Sequence, residues 1–317
     1  MSRLTDLIED AESIAVIGHI RPDGDDLGSC LGLYNYIKEN YPHVTRLRVF
    51  LEKAAPKFDF LKGMDEVSHK IGNDDKDYDL VACLDCATKD RLGEFDIILD
   101  GAKHSICVDH HKTNPCYCEF NDVRPDASST SEVIYELLED DRISLDTATC
   151  LYTGIAHDTG IFQYSATSQR TMEIGGRLLR KGISAEEIIS NSYYQKSYDQ
   201  IRAWGYAYEK AVLCERGRCI YTIMTWKDMK KFGITSMDLD GVSSELRNVS
   251  GVLFSMLLYQ DGSNEFKASM RSTGNVDCSA VAVKHDGGGH AHASGCTCQG
   301  DPEEIAAMIL SEIREQL

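Results

Sequence analysis

Histidine and aspartate recur in this chain in clusters whose chemistry suits metal ions. The run GHIRPDGDDLGS contains His19, Asp23 and Asp25; Asp85 lies in LDCATKDRLG; Asp109, His110 and His111 are consecutive; and Asp158 sits in IAHDTGIFQY. Imidazole and carboxylate donors without thiolates suit Mn²⁺, with Mg²⁺, Co²⁺ or Fe²⁺ as alternatives, whereas structural zinc favours cysteine. An aspartate can bridge two ions about 3.5–4 Å apart, the separation at which a metal pair activates water and stabilises a leaving oxygen. That arrangement is suited to phosphoryl hydrolysis.

Taken singly, each position has a plainer explanation. Asp23-Gly24-Asp25 follows a proline and reads as a turn. Asp85 reads as a helix N-cap, Asp158 as a turn former, and His110 and His111 as surface residues. The joint pattern argues otherwise, because these groups fall where strands or helices end. Ser13–Gly18, Leu47–Leu51, Asp79–Leu84 and Ser105–Val108 are apolar runs with β character, separated by helical segments. Such alternation predicts a parallel α/β sheet, whose loops gather along the carboxyl edge of the strands. Carboxylates packed there without cations would destabilise one another. Ser129 with Glu132, and Ser184 with Glu187, fit the capping box at helix starts.

The catalytic unit is placed at 1–190. A polar, aromatic stretch at 191–218, with Tyr193, Tyr194, Tyr198, Trp204, Tyr206 and Tyr208, reads as a connecting helix whose rings pack a domain joint. A smaller mixed α/β unit follows at 219–317, with strands expected at Cys219–Thr225, Val252–Tyr259 and Glu265–Arg271. Helices are expected around Val276–Val283 and from Asp301, with Pro302 at the first helical position. In DGGGHAHASG, the backbone of Gly287, Gly288 and Gly289 could approach a phosphate or a base, with His290 beside it; a flexible turn is the simpler account. Arg271 and Ser272 offer a cation and a hydroxyl to the same ligand, although Arg271 paired to a surface carboxylate is equally ordinary.

Composition narrows the partners. A formal charge of −18 on 317 residues disfavours a protein that grips long nucleic acid through a basic face. A short polyanion remains admissible where bound cations supply local positive charge. Neither a secretory leader nor a membrane-spanning apolar run is legible, so no membrane partner and a cytoplasmic location are expected. The twelve cysteines read as free thiols, and neither C-x-C pair, Cys116/Cys118 or Cys296/Cys298, has a metal-site spacing.

With these motifs in view, the sequence resembles the DHH family of phosphoesterases over essentially its whole length. HIRPDGDDLGS, LDCATKDRLG, VDHH and HDTGIFQYSATSQRT are similar to the family's four motifs, and LRNVSGV, KASMRS and DGGGH to its associated C-terminal domain in the nanoRNase and pAp-phosphatase branch. The resemblance implies a two-domain α/β enzyme with its active site in the interdomain cleft. It places His19, Asp23 and Asp85 on one Mn²⁺, and Asp25, Asp85, His110 and Asp158 on the other, with Asp85 bridging. It makes His111 a partner of the scissile phosphate, a candidate general acid. Arg271, Ser272 and His290, with Gly288 and Gly289, are implied to bind the other end of a short oligonucleotide or nucleotide phosphate. Asp26, Gln163 and Asp286 depart from the family pattern. A stand-alone phosphodiesterase for pApA or cyclic-di-AMP and a non-catalytic nucleotide- or RNA-binding module are the alternatives. A homodimer is compatible with all three.

Overall fold

The computed structural model describes residues 3–317. The chain divides between Gln195 and Lys196 into two compact units.

The first unit is built on five parallel strands: β1 (Ser13–Ile17), β2 (Arg46–Phe50), β3 (Leu80–Leu84), β4 (His104–Asp109) and β5 (Phe120–Val123), in the order β2-β1-β3-β4-β5. β3 is apolar along its whole length, and β1 from Ile14 onward, because both faces are covered. Ile14 and Val16 point into one buried cluster, with the helices Gly24–Asn40 and Leu145–Asp158, while Ala15 and Ile17 join Phe50, Phe95 and Ile98 on the other side. The strand order reverses at β1, whose neighbours are β2 on one side and β3 on the other. A crevice forms at the carboxyl ends where connections leave toward opposite faces. Ile17 pairs in register with Cys83, so the segments after β1 and β3 start side by side.

Glycine sets how closely the two long helices pack. Gly24, Gly28 and Gly32 form one stripe at i, i+4 and i+8. A Cβ on Gly28 would lie 2.6 Å from the Cys150 carbonyl and 2.7 Å from Gly154 N, and one on Gly32 2.7 Å from Leu151 Cδ2. This near contact brings the start of one helix, with Asp25, against the end of the other, with Asp158.

The second unit is a six-stranded sheet of β6 (Val212–Cys214), β7 (Cys219–Met224), β8 (Phe254–Gln260), β9 (Glu265–Ser272), β10 (Gly288–His290) and β11 (Ala293–Gln299), ordered β10-β11-β9-β8-β7-β6. Only β7 and β8 are parallel. Phe266, Ala268 and Met270 of β9 alternate into a core with the helices Cys278–Lys284 and Pro302–Arg314. On the other face Ile220 and Leu257 pack with Trp204, Leu239 and Leu246.

Several expectations are corrected. The stretch 191–218 is not one helix: the helix Tyr198–Glu209 lies in the second unit and is followed by β6. Trp204 packs inside that unit, its indole N–H donating to the Asp238 carbonyl at 2.7 Å. Asp85 caps no helix, since the next helical turn begins at Lys89. The capping boxes form only halfway. Ser129 and Ser184 accept from the N–H of Glu132 and Glu187, but the Glu132 carboxylate turns to the Ser128 hydroxyl at 2.5 Å. The Asp301 start matches expectation, with Asp301 accepting from Glu303 and Glu304 N–H ahead of Pro302 at N1. Among the described residues no helix is long and apolar enough to cross a membrane, and all twelve cysteines are free.

Candidate metal centre

The site is assembled at the carboxyl edge of β1, β3 and β4. After β1 the His19 N–H donates to Asp26 Oδ1 at 3.0 Å, which folds the loop back on the following helix. His19 Nδ1 lies 2.8 Å from the Ile20 carbonyl. A donor is required there, so Nδ1 carries the proton and Nε2 is left with a lone pair on the side of Asp23 and Asp85. Asp23 divides its carboxylate: Oδ1 caps the helix by accepting from Asp25 and Asp26 N–H, and Oδ2 sits 3.9 Å from His19 Nε2. Its turn-like role and a ligand role are therefore compatible.

Asp85 follows β3 in a left-handed conformation, φ 53°, its N–H donating to the Val108 carbonyl at 3.1 Å. A non-glycine residue there costs about 1–2 kcal/mol, strain that persists where the surroundings impose it. The result is a carboxylate aimed both ways. Oδ2 lies 3.7 Å from His19 Nε2, while Oδ1 lies 3.6 Å from His110 Nε2 and 3.7 Å from His111 Nδ1. His110 Nε2 in turn lies 3.1 Å from Asp158 Oδ2. Three overlapping groups can each hold an ion: His19, Asp23 and Asp85; Asp25, His110 and Asp158; and Asp85, His110 and His111. All six expected ligands and His111 are thus brought together.

The electrostatics call for a cation. Burial, with Asp25, Asp23 and Asp158 close by, pushes Asp85 well above the usual carboxylate range. Burial and the neighbouring Asp158 raise Asp25 to about 7. Burial alone would depress His110, but Asp158 outweighs it and holds the imidazole up at about 9. Asp158 is also the last residue of its helix, where the dipole is negative and a carboxylate is unfavourable. A bound cation would relieve this crowding of carboxylates, and an all-nitrogen-and-oxygen donor set fits a divalent ion of the manganese or magnesium kind.

Outer contacts escaped the sequence reading. Asp109 Oδ1 accepts from the His110 N–H at 2.8 Å and lies 2.7 Å from His111 Nδ1, while the Asn114 side-chain amide donates to Oδ2 at 2.6 Å. Burial opposes the charge on Asp109, yet these bonds from His111 and Asn114 hold it below its ordinary value. The first turn of the helix Thr130–Leu137 faces Asp25 and Asp85. Asp26, noted above only as a departure, is fully buried, and burial raises it to about 6. Asn114 and Thr130 carried only turn and capping signals.

In the second unit Arg271 of β9 pairs with Ala293 of β11, and Ala293 with His290 of β10. Directly opposed residues share a face, so Arg271 and His290 project from one side about 10 Å apart, two strand spacings, with only a methyl group between. The glycine segment is therefore a strand and not a free loop. Gly287 and Gly289 lie too close to β11 for a side chain: a Cβ on Gly289 would lie 2.5 Å from the Ala293 carbonyl, and one on Gly287 would overlap β11. At Gly288 nothing lies within 4 Å. Ser272 is buried, its hydroxyl 2.6 Å from the Val276 carbonyl and 3.0 Å from that of Ala291. It braces the turn beside Arg271 and is not displayed on the surface.

A place at the strand-order reversal ringed by histidine and aspartate suits the hydrolysis of phosphate esters with the help of metal ions. Residues 13–155 match the DHH family N-terminal domain and residues 217–317 the DHHA1 domain. The bifunctional oligoribonuclease and PAP phosphatase NrnA of Bacillus subtilis is 30% identical, the match covering 90% of this chain and 89% of that one. The protein of the same name from Thermus thermophilus is 28% identical over 96% of this chain and 90% of its own. The crystal structure of an exopolyphosphatase-related protein from Bacteroides fragilis superposes with a TM-score of 0.90 at 27% identity, covering 98% of this chain and 94% of that one. The chain belongs to the DHH family and is a phosphoesterase.

Proposed function

We propose that the chain hydrolyses short oligoribonucleotides and 3′-phosphoadenosine 5′-phosphate (pAp), using two Mn²⁺ ions. The observation that carries the reading is the divided carboxylate of Asp85, with one oxygen toward His19 and the other toward His110. His19, Asp23 and Asp85 would hold one ion, and Asp25, Asp85, His110 and Asp158 the other. When bound, such a pair supplies Lewis acidity and an ionised water nucleophile at neutral pH. The chain's own groups do the rest. Asp109 orients the His111 ring through Nδ1, which leaves Nε2 as the nitrogen that would pass a proton to the departing oxygen. Asn114 keeps Asp109 in place.

Arg271, Gly288, Gly289 and His290 are assigned to the non-reacting end of the substrate, with Ser272 bracing the strand end. A guanidinium gives two charge-assisted bonds to a phosphate, while the open backbone at Gly288 admits an anion or a base closely. The oligoribonuclease and PAP phosphatase relatives support the substrate class. The net charge of −18 favours short over long strands, since long-strand binding draws on an extended basic surface.

The test is a turnover panel with Mn²⁺ against pAp, pApA, cyclic-di-AMP, di- to pentanucleotides and a long single strand, with metal content measured in parallel. Fast turnover of dinucleotides and pAp is expected. Preference for cyclic-di-AMP or pApA would favour the phosphodiesterase reading, and equal rates on the long strand would refute the short-substrate assignment.

A further inference from the structure

Thr130 is bonded to two carboxylates that come from different parts of the chain. Its hydroxyl donates to Asp85 Oδ1 at 2.8 Å and its N–H to Asp25 Oδ2 at 2.6 Å, while the next N–H, of Ser131, reaches Asp25 Oδ1 at 2.9 Å. Thr130, Ser131 and Asp25 are fully buried and Asp85 nearly so. This accounts for the first turn of the helix Thr130–Leu137. Of its orphan donors, Glu132 N–H is capped by Ser129 and the two before it are spent on Asp25.

A threonine inside a helix commonly turns its hydroxyl onto the carbonyl one turn back. At the first helical position there is no such intrahelical carbonyl, and the hydroxyl of Thr130 goes to Asp85 instead. An ionised carboxylate can only accept, so this bond occupies one lone pair of Oδ1 and fixes the rotation of the carboxylate. The other Oδ1 lone pair is left for the His110 side and Oδ2 for His19. The same residue anchors Asp25, which belongs to the His110 group, so its two bonds lock Asp85 and Asp25 in mutual register.

The geometry points to Thr130 as a positioning residue that orients the bridging carboxylate and thereby sets affinity for the ion shared by Asp25, Asp85, His110 and Asp158. The inference rests on the two-ion reading above. Outer-shell partners of this kind are worth about 10–100-fold in metal affinity.

The experiment is titration of metal-free protein with Mn²⁺, followed calorimetrically and by the electron paramagnetic resonance of free Mn²⁺, for the parent and for Thr130→Val, Thr130→Ala and Thr130→Ser. Valine keeps the branched shape and the N–H but lacks the hydroxyl; alanine serves if valine does not fold, as judged by thermal melting. One of two Mn²⁺ sites should weaken about 10–100-fold in the valine or alanine variant, and serine should restore it. Two sites of parental affinity in either folded hydroxyl-less variant would overturn the assignment. A serine variant as weak as valine would also overturn it, because packing and not the hydroxyl would then be responsible. A parent that takes up fewer than two ions would instead refute the two-ion reading on which it depends.

Discussion

Gly28 lies against Gly154 where the helices Gly24–Asn40 and Leu145–Asp158 cross, so closely that a methyl group on Gly28 would lie 2.7 Å from Gly154 N and 2.8 Å from its Cα. The neighbours it would meet are backbone atoms, which cannot swing aside. Gly28→Ala should therefore destabilise the first unit by about 1–3 kcal/mol, an overpacking cost. The exposed helix of Gly176 offers the contrast, since nothing lies within 4 Å of a Cβ there. Gly176→Ala should stabilise by about 0.5–1 kcal/mol. Urea unfolding of the two variants should move in opposite directions.

Asp85→Asn keeps the shape of the proposed bridge but removes its charge. Mn²⁺ content and turnover should collapse together while the far-ultraviolet circular dichroism stays that of the parent. Near-parental turnover with Mn²⁺ would contradict the bridging role.

Arg271→Ala and His290→Ala should raise KM for a dinucleotide more than they lower kcat, with Arg271 the larger effect, because binding remote from the reacting phosphorus mainly sets affinity. Metal content should not change. Either variant losing its Mn²⁺ would show that these positions serve the metal centre.

Two adjacent glycines should respond differently to the same substitution. Gly289→Ala, with φ of 132° and a partner strand in the way, should unfold or loosen the β10–β11 pairing. Gly288→Ala should leave the melting temperature of the protein within about a degree and chiefly weaken substrate binding. Equal loss of stability at both would remove the argument that Gly288 is open for a ligand.

Acid sensitivity has an identifiable contributor at Asp79. Lys103 at 2.6 Å and Ser13 hold its carboxylate down at about 2, and it ties the start of β1 to β3 through the Glu12 and Ser13 N–H groups. A carboxylate depressed in the folded state stabilises fully above its unfolded value near 4 and loses that contribution as pH falls toward 2. Asp79→Asn should cost about 1–2 kcal/mol at neutral pH. Its unfolding curve should converge with the parent's as pH drops from about 4 to about 2. A constant gap across that range would assign the effect to something other than ionisation.

The candidate ligands after β1, β3 and β4 were legible because they follow apolar runs, which in a doubly covered parallel sheet read plainly as strands, whereas Asp158 closes a helix. Much of the second unit did not read so well. β11, ASGCTCQ, buries small side chains, Ser294, Cys296 and Cys298, and lacks the branched or aromatic residues that announce a strand. β5, FNDV, is half-buried and half polar at a sheet edge. The Thr130–Asp85 bond joins residues 45 apart. A capping motif tells that a helix begins at Ser129, but not which carboxylate the next hydroxyl will find. Arg271 and His290 were picked out as residues, whereas their common row depends on strand register, which only pairing fixes.

Because every ligand of the proposed centre lies between His19 and Asp158, all within the first unit, ion binding and the folding of that unit are one coupled equilibrium. An unfolded chain scatters these side chains, so ions bind the folded form in preference. At a hundred times the dissociation constant, this adds about 2.7 kcal/mol per independent site. The second unit holds none of these ligands and gains nothing directly. Chelation should therefore lower the unfolding temperature of one half of the molecule, and Mn²⁺ concentration should set the order in which the two halves melt.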